Sequence, residues 1–265
     1  MRRLQQVFQT LKDKNEGALV GFVTAGDPNP ETSIGLLRAM TDAGVDILEL
    51  GVPFSDPTAD GPVIQRSSAR ALSHGMTLEK TLDMCRTLRQ WSDIPVVIFS
   101  YYNPILAMGG ARFYEHSVRC GADAVLVVDL PPEESKEFLD QWSGNHLDFI
   151  RLVAPTTPQD RMAAIASDAS GFLYLVSMTG VTGSAGLNLQ EVSATAARLK
   201  QVSSLPVCVG FGISQPEHVR AVCRTADGAV VGSAFERLIE ENLTAPDLPE
   251  RLGRYVQTLK AATRI

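Results

Sequence analysis

The chain has 265 residues, of which 45% are hydrophobic, and a formal net charge of −6. That length and apolar share support one large core, because α/β barrels reach this size as single domains. The acidic balance argues against a nucleic-acid footprint, and no apolar run approaches membrane-spanning length.

In chain order, MRRLQQVFQTLKDK places Leu4, Phe8 and Leu11 at amphipathic spacing. Gln5, Gln6, Gln9 and Lys12 interrupt the run, which predicts a surface helix rather than a signal peptide. The apolar run 18–25 predicts a first strand. Asn29-Pro30-Glu31 then opens a helix with a cap residue, a proline at the first helical position and an acid in the first turn; Gly44 closes it. Residues 46–51 predict a second strand, followed by two helices over 64–75 and 77–91. Further strands are expected at 95–100, 123–129, 148–153, 172–177, 206–212 and 227–232, with Thr157-Pro158 opening another helix. These runs are near-continuously apolar, as parallel strands buried on both faces require. Eight βα units in one chain point to an α/β fold: a single-domain (β/α)8 barrel over 1–265, with an extra N-terminal helix and additional helices. A doubly wound sheet is the alternative, but Gly26-Asp27-Pro28, not GxGxxG, follows the first strand.

The chemistry concentrates in 49-ELGVPFSDPTADGPVIQ-65. Glu49 lies between Leu48 and Leu50 in a buried strand, where desolvation makes proton transfer useful. Asp60 rides a proline-rich loop. One fixed acid and one mobile acid facing a common space are the parts of an acid/base enzyme. Barrel sites form at the C-terminal ends of strands, where Tyr101, Tyr102, Asn103, Asp129, Thr182, Gly183, Gly212, Ser214, Gly232 and Ser233 also fall. Gly210-Phe211-Gly212 after the seventh strand and Gly232-Ser233 after the eighth resemble a phosphate cradle. Glycines admit close backbone approach, and a helix start offers open N–H groups. The alternative is that these glycines only make tight turns. No metal site is expected: His74, His116, His146 and His218 are scattered and away from the expected site. Cys85, Cys120, Cys208 and Cys223 form no CxxC pair and read as buried apolar residues in a reducing cytoplasm. No lysine stands at a strand end for an imine.

On 20-VGFVTAGDP-28, 48-LELGVPFSDPTADGPVIQ-65, 101-YYNPI-105, 124-AVLVVDLPPEES-135, 180-GVTG-183, 209-VGFGIS-214 and 228-GAVVGSA-234, the chain resembles the tryptophan synthase α-subunit family over essentially its whole length. The resemblance implies reversible retro-aldol cleavage of indole-3-glycerol phosphate to indole and glyceraldehyde 3-phosphate. Glu49 then matches the proton-shuttling glutamate, and Asp60 the aspartate that accepts the indole N–H. Phe22, Tyr101, Leu126, Tyr174 and Phe211 match the pocket lining, with Asp129 and Thr182 also substrate-facing; Thr182 is implied to position Asp60. Gly183, Gly212, Gly232 and Ser233 match the phosphate site. The resemblance further implies a cytoplasmic α2β2 tetramer with a β subunit that holds the pyridoxal phosphate, leaving this chain without a cofactor. The implied interface includes Pro53, Phe54, Asp56, Pro57 and Asn103, and docking there is expected to order the loop. Thr58, Met178 and GSAG at 183–186 depart from the family pattern, which bears on loop behaviour and coupling to the partner. Other phosphate-binding barrels, a non-catalytic scaffold and a stand-alone lyase are the competing readings. The first would need lysines or histidines that the strand ends lack.

Overall fold

The structure is a computed structural model and describes residues 2–176, 189–210 and 212–265. Eight strands, β1 (Ala18–Thr24), β2 (Ile47–Gly51), β3 (Val96–Ser100), β4 (Ala124–Val127), β5 (Asp148–Val153), β6 (Leu173–Val176), β7 (Val207–Gly210) and β8 (Gly228–Val231), pair in parallel in chain order. The ring closes where β8 pairs with β1, Ala18 opposite Gly228. Helix α1 (Arg3–Asp13) precedes β1, and α2 (Pro30–Asp42) follows it. Two helices follow β2, α3 (Pro62–Ser73) and α4 (Leu78–Leu88), and two follow β3, α5 (Tyr102–Met108) and α6 (Gly110–Cys120). Single helices α7 (Pro132–Leu139), α8 (Gln159–Ser167), α9 (Leu189–Val202) and α10 (Pro216–Cys223) follow β4 to β7; α11 (Ser233–Glu241) and α12 (Leu248–Ala261) end the chain. Every strand expected from the apolar runs is present, its ends shifted by at most two residues. Among the described residues no helix is long and apolar enough to cross a membrane.

Local chemistry sets the helix ends. The Asn29 side chain accepts the Thr32 N–H at 2.9 Å and caps α2, and Thr77 caps α4 by accepting the Lys80 N–H at 3.2 Å. Helix α4 stops three residues short of the expected 91. There the Arg89 guanidinium turns to the carbonyls of Ser92, Ile94 and Gly121 and to Asp123, holding the chain in the turn that leads to β3. Thr157 does not cap α8; its hydroxyl accepts the Ala154 N–H instead.

Strand period two divides the apolar residues into an outer and an inner core. Leu19 and Val23 of β1 face the helices, whereas Ala18 and Val20 face the barrel axis with Ile47, Val97, Leu126, Ile150 and Val230. The inner core includes Leu4, Phe8 and Leu11 of α1, and the rings of Phe8 and Phe172 meet edge to face at 5.9 Å. Arg2 and Arg3 pin α1 to Asp148 and Asp123, at the start of β5 and just before β4. The expected surface helix is therefore the floor of the barrel, with only its polar face outside. All four cysteines are buried and free.

In the outer core Phe138 is fully buried and packs against Tyr102, Phe113, Trp142 and Phe149 at ring separations of 5.4–6.2 Å. Phe138→Ala is expected to lower unfolding stability by about 3–5 kcal/mol, read from urea denaturation. A loss under about 1 kcal/mol would mean that this cluster repacks without a cavity.

Candidate active site

Parity along β2 turns Ile47, Glu49 and Gly51 toward the barrel axis, because Leu48 and Leu50 belong to the outer core. Glu49 is 0% exposed, and neither carboxyl oxygen has a hydrogen-bond partner among the described residues. Burial pushes its pKa from 4.5 to about 8, so the group is a neutral acid at pH 7. Space beside it is made by pairing small with large. A Cβ on Gly51 would stand 2.5 Å from the Phe22 ring, and one on Gly210 would stand 2.1 Å from the Tyr174 hydroxyl. The two aromatic side chains fill those inward positions and wall the space above Glu49.

Asp60 lies one residue before Gly61, the N-cap of α3. Tyr101, the N-cap residue of α5, holds its loop. The Tyr101 hydroxyl accepts the Ala59 N–H at 2.9 Å and donates to the Asp60 carboxylate, while its ring lies 5.2 Å from that of Phe54. Burial raises the Asp60 pKa to about 6, and the tyrosine hydrogen bond works against that rise. At neutral pH Asp60 is ionised and Glu49 is not. The two carboxyl groups thus divide into an acid and an anion by environment alone.

Both open into one cavity of about 260 Å3 at the C-terminal mouth of the barrel. Its wall includes Phe22, Phe99, Tyr174 and Ile64 at the apolar end, and Gly212, Ser214, Gly232 and Ser233 at the other. Gly212 has φ +75°, a left-handed conformation that a side chain would strain. No side chain caps α11, so its first N–H groups stay available beside Ser233. The turn before α10 is fixed because Ser214 donates its N–H to His218 Nδ1 at 3.4 Å and accepts the Tyr255 hydroxyl proton.

Other expected positions fall outside the cavity wall. Leu126 is buried in the inner core. Tyr101 acts on the Asp60 loop. Asp129 is exposed, and its carboxylate accepts the Tyr102 N–H at 2.7 Å. Tyr102 and Asn103, expected in a loop, open α5 instead. Of the proposed interface residues, Asp56 and Asn103 are exposed and Phe54 and Pro57 half-buried, but Pro53 is buried and offers no surface. Thr182, Gly183, Phe211 and Met178 lie outside the described residues.

Sequence reasoning passed over Phe99, which faces inward two residues beyond Val97, the partner of Glu49 in the sheet. It also missed Arg237, four residues beyond Ser233 and part of the cavity wall. Behind the cavity a charged network joins α3 to α11. Arg70 grips Asp27 through two bonds of 2.7 and 2.9 Å and reaches Glu240, which Arg66 also holds. The arginines pull the Glu240 pKa down to about 2. Glu236 is fully buried and accepts the Thr24 N–H at 2.6 Å; burial and the nearby Asp27 push its pKa well up. Away from the site, between α4 and α6, ligand atoms of Asp83, His116 and Cys120 approach within 4.8 Å of one another. Arg86 already holds Asp83 Oδ1, the oxygen 3.9 Å from His116 Nε2, at 2.8 Å.

The sequence model of the family described as "Tryptophan synthase alpha chain" matches residues 8–264. The chain belongs to that family. The tryptophan synthase alpha chain of Desulfatibacillum aliphaticivorans is 62% identical over 264 residues, covering 100% of both chains. That of Desulfosudis oleivorans is 56% identical over 265 residues, again covering 100% of both. The tryptophan synthase alpha subunit of Legionella pneumophila superposes with a TM-score of 0.91 at 38% identity, covering 99% of this chain and 98% of that one. Membership makes the chain a lyase component of tryptophan biosynthesis that acts on indole-3-glycerol phosphate.

The folded pKa of Glu49, about 8, lies above the ordinary 4.5, so on raising the pH the unfolded chain loses this proton first. The pH-dependent cost of Glu49 is therefore absent below about 4.5 and grows progressively up to about 8. Glu49→Gln is expected to gain stability over the native chain as pH climbs through that window. Urea midpoints compared across it would show a pH-independent difference if the carboxyl were solvated.

Proposed function

We propose that Glu49 and Asp60 carry the family's cleavage of indole-3-glycerol phosphate in this chain, with the phosphate held by Gly212, Gly232, Ser233 and the start of α11. The observation that carries the reading is the shared cavity: the neutral acid, the anionic carboxylate and the glycine-lined helix start all open into it. Gly183 and Thr182 complete the site in this reading, with Thr182 acting on Asp60.

The protonation states suit the order of steps. The indole ring stacks among Phe22, Phe99 and Tyr174. The Glu49 acid delivers its proton to the ring carbon that bears the glycerol chain, and the ring becomes a cation. Asp60, already ionised, accepts the indole N–H and stabilises that charge. The resulting Glu49 carboxylate then takes the proton of the adjacent side-chain hydroxyl. That O–H pair forms the aldehyde carbonyl, and the breaking carbon–carbon bond returns its electrons to the ring. Indole and glyceraldehyde 3-phosphate leave, and Glu49 is protonated again, so the cycle balances without an outside proton. Burial, which lifts the Glu49 pKa to about 8, lets one carboxyl serve as both acid and base.

In the same reading the partner is a tryptophan synthase β subunit, in a cytoplasmic α2β2 assembly. Pyridoxal phosphate belongs to that subunit and not to this chain. Phe54, Asp56, Pro57 and Asn103 offer the docking surface. Tyr101 links that surface to chemistry, since it joins the start of α5 to the Asp60 loop.

Purified chain assayed on indole-3-glycerol phosphate tests the assignment. Glu49→Gln and Asp60→Asn, folded by circular dichroism, should each lose roughly 10²–10⁴-fold in kcat. Full activity in either would remove that residue from the mechanism. The kcat/KM profile should rise with pH through about 6, as Asp60 ionises, and fall through about 8, as Glu49 loses its proton. Tyr101→Phe removes the bond that restrains the Asp60 pKa, so its acidic limb should move to higher pH; an unmoved limb would assign that limb to another group.

A further inference from the structure

Arg237 leaves α11 on the same face as Ser233, because residues four apart on a helix are neighbours. It forms part of the cavity wall beside Gly212, Ser214 and Ser233. Its charge is also felt at Tyr255, whose hydroxyl donates to the Ser214 carbonyl, so the guanidinium stands near the Gly212–Ser214 turn. The neighbouring arginines are committed: Arg66 to Glu240, and Arg70 to Asp27 and Glu240. No ion pair joins Arg237 to a described carboxylate. The one acid in the first turn of α11, Glu236, is turned into the protein against Thr24 and buried. An unclaimed cation therefore stands at the anion end of the cavity, on a chain whose formal net charge is −6.

Backbone N–H groups and a serine hydroxyl bind a monoanion and a dianion with similar geometry; a full positive charge close by widens the preference for the dianion. We propose that Arg237 is the charge-selecting residue of the phosphate subsite: it contacts the dianionic phosphomonoester tail and widens the site's preference over singly charged groups. The proposal rests on reading the Gly212, Gly232 and Ser233 cluster as the phosphate site. Arg237 takes no part in proton transfer, so its contribution is to binding and not to turnover.

The test uses the full chain and two unreactive probes, glycerol 3-phosphate and its singly charged sulfate isostere, titrated calorimetrically at low and high salt. Arg237→Gln should weaken glycerol 3-phosphate about tenfold at low salt, weaken the sulfate ester only about threefold, and flatten the salt dependence. The KM for indole-3-glycerol phosphate should rise by a similar factor with kcat within about twofold, and Arg237→Lys should recover most of the loss. Arg254→Gln, an exposed arginine in a separate groove between α2 and α12, is the control for general charge effects. Equal loss for both probes, an equal loss in Arg254→Gln, or no loss at all would overturn the proposal. A native chain that binds glycerol 3-phosphate through Arg237 yet cleaves nothing would sink the lyase reading alone. A native chain that binds neither probe would sink both.

Discussion

A carboxyl group fully buried in the barrel, with no hydrogen-bond partner among the described residues, is the constraint around which the rest of this molecule is arranged. Ionising Glu49 where it stands would cost several kcal/mol, so the fold keeps it neutral and raises its pKa to about 8. That state lasts only while water is kept from the lower barrel. The inner core of Val20, Ile47, Val97 and Leu126 lies beneath it, and the aromatic side chains of Phe22 and Tyr174 stand above. A leucine at position 49 would suit the core better, which is why the proposed proton-carrying role rests on this group.

The cavity follows from an exchange of volume between neighbouring strands. Glycines at 51 and 210 give up their side-chain space to Phe22 and Tyr174, and the rings turn a packed barrel into a slot with apolar walls. At its far end the wall changes character over a few residues, from aromatic to glycine and serine at the start of α11. The Arg70 and Arg66 network fixes α11 against α3, so the two ends of the slot keep a set distance. Asp60 enters from the side on a loop held by the Tyr101 hydroxyl.

Most of the architecture was legible in the chain because parallel strands buried on both faces write long apolar runs, and Glu49 stood out as the one acid inside such a run. The glycines after β7 and β8 were legible for a similar reason: their position, not their number, set them at the wall of the cavity. What stayed hidden depends on pairing across the fold. Tyr101 reads as pocket lining, yet its hydroxyl serves a backbone amide 42 residues away. Asp129 reads as a site acid, yet it meets the N–H of Tyr102. The amphipathic N-terminal helix shows an apolar face but not the surface it covers. Arg237 was within reach, since its spacing from Ser233 is one helical turn, but a charged residue on a helix is ordinarily solvated and carries no signal until the wall of a cavity is seen.

Helix α1 has a consequence for traffic. With Leu4, Phe8 and Leu11 stoppering the base, the described residues form a flask that opens at the C-terminal mouth. A molecule whose ring rests against Glu49 and whose tail rests on α11 has to go in ring first. The fragment at the bottom is then trapped behind the fragment at the neck, so departure runs in reverse order unless a second doorway opens beside the neck.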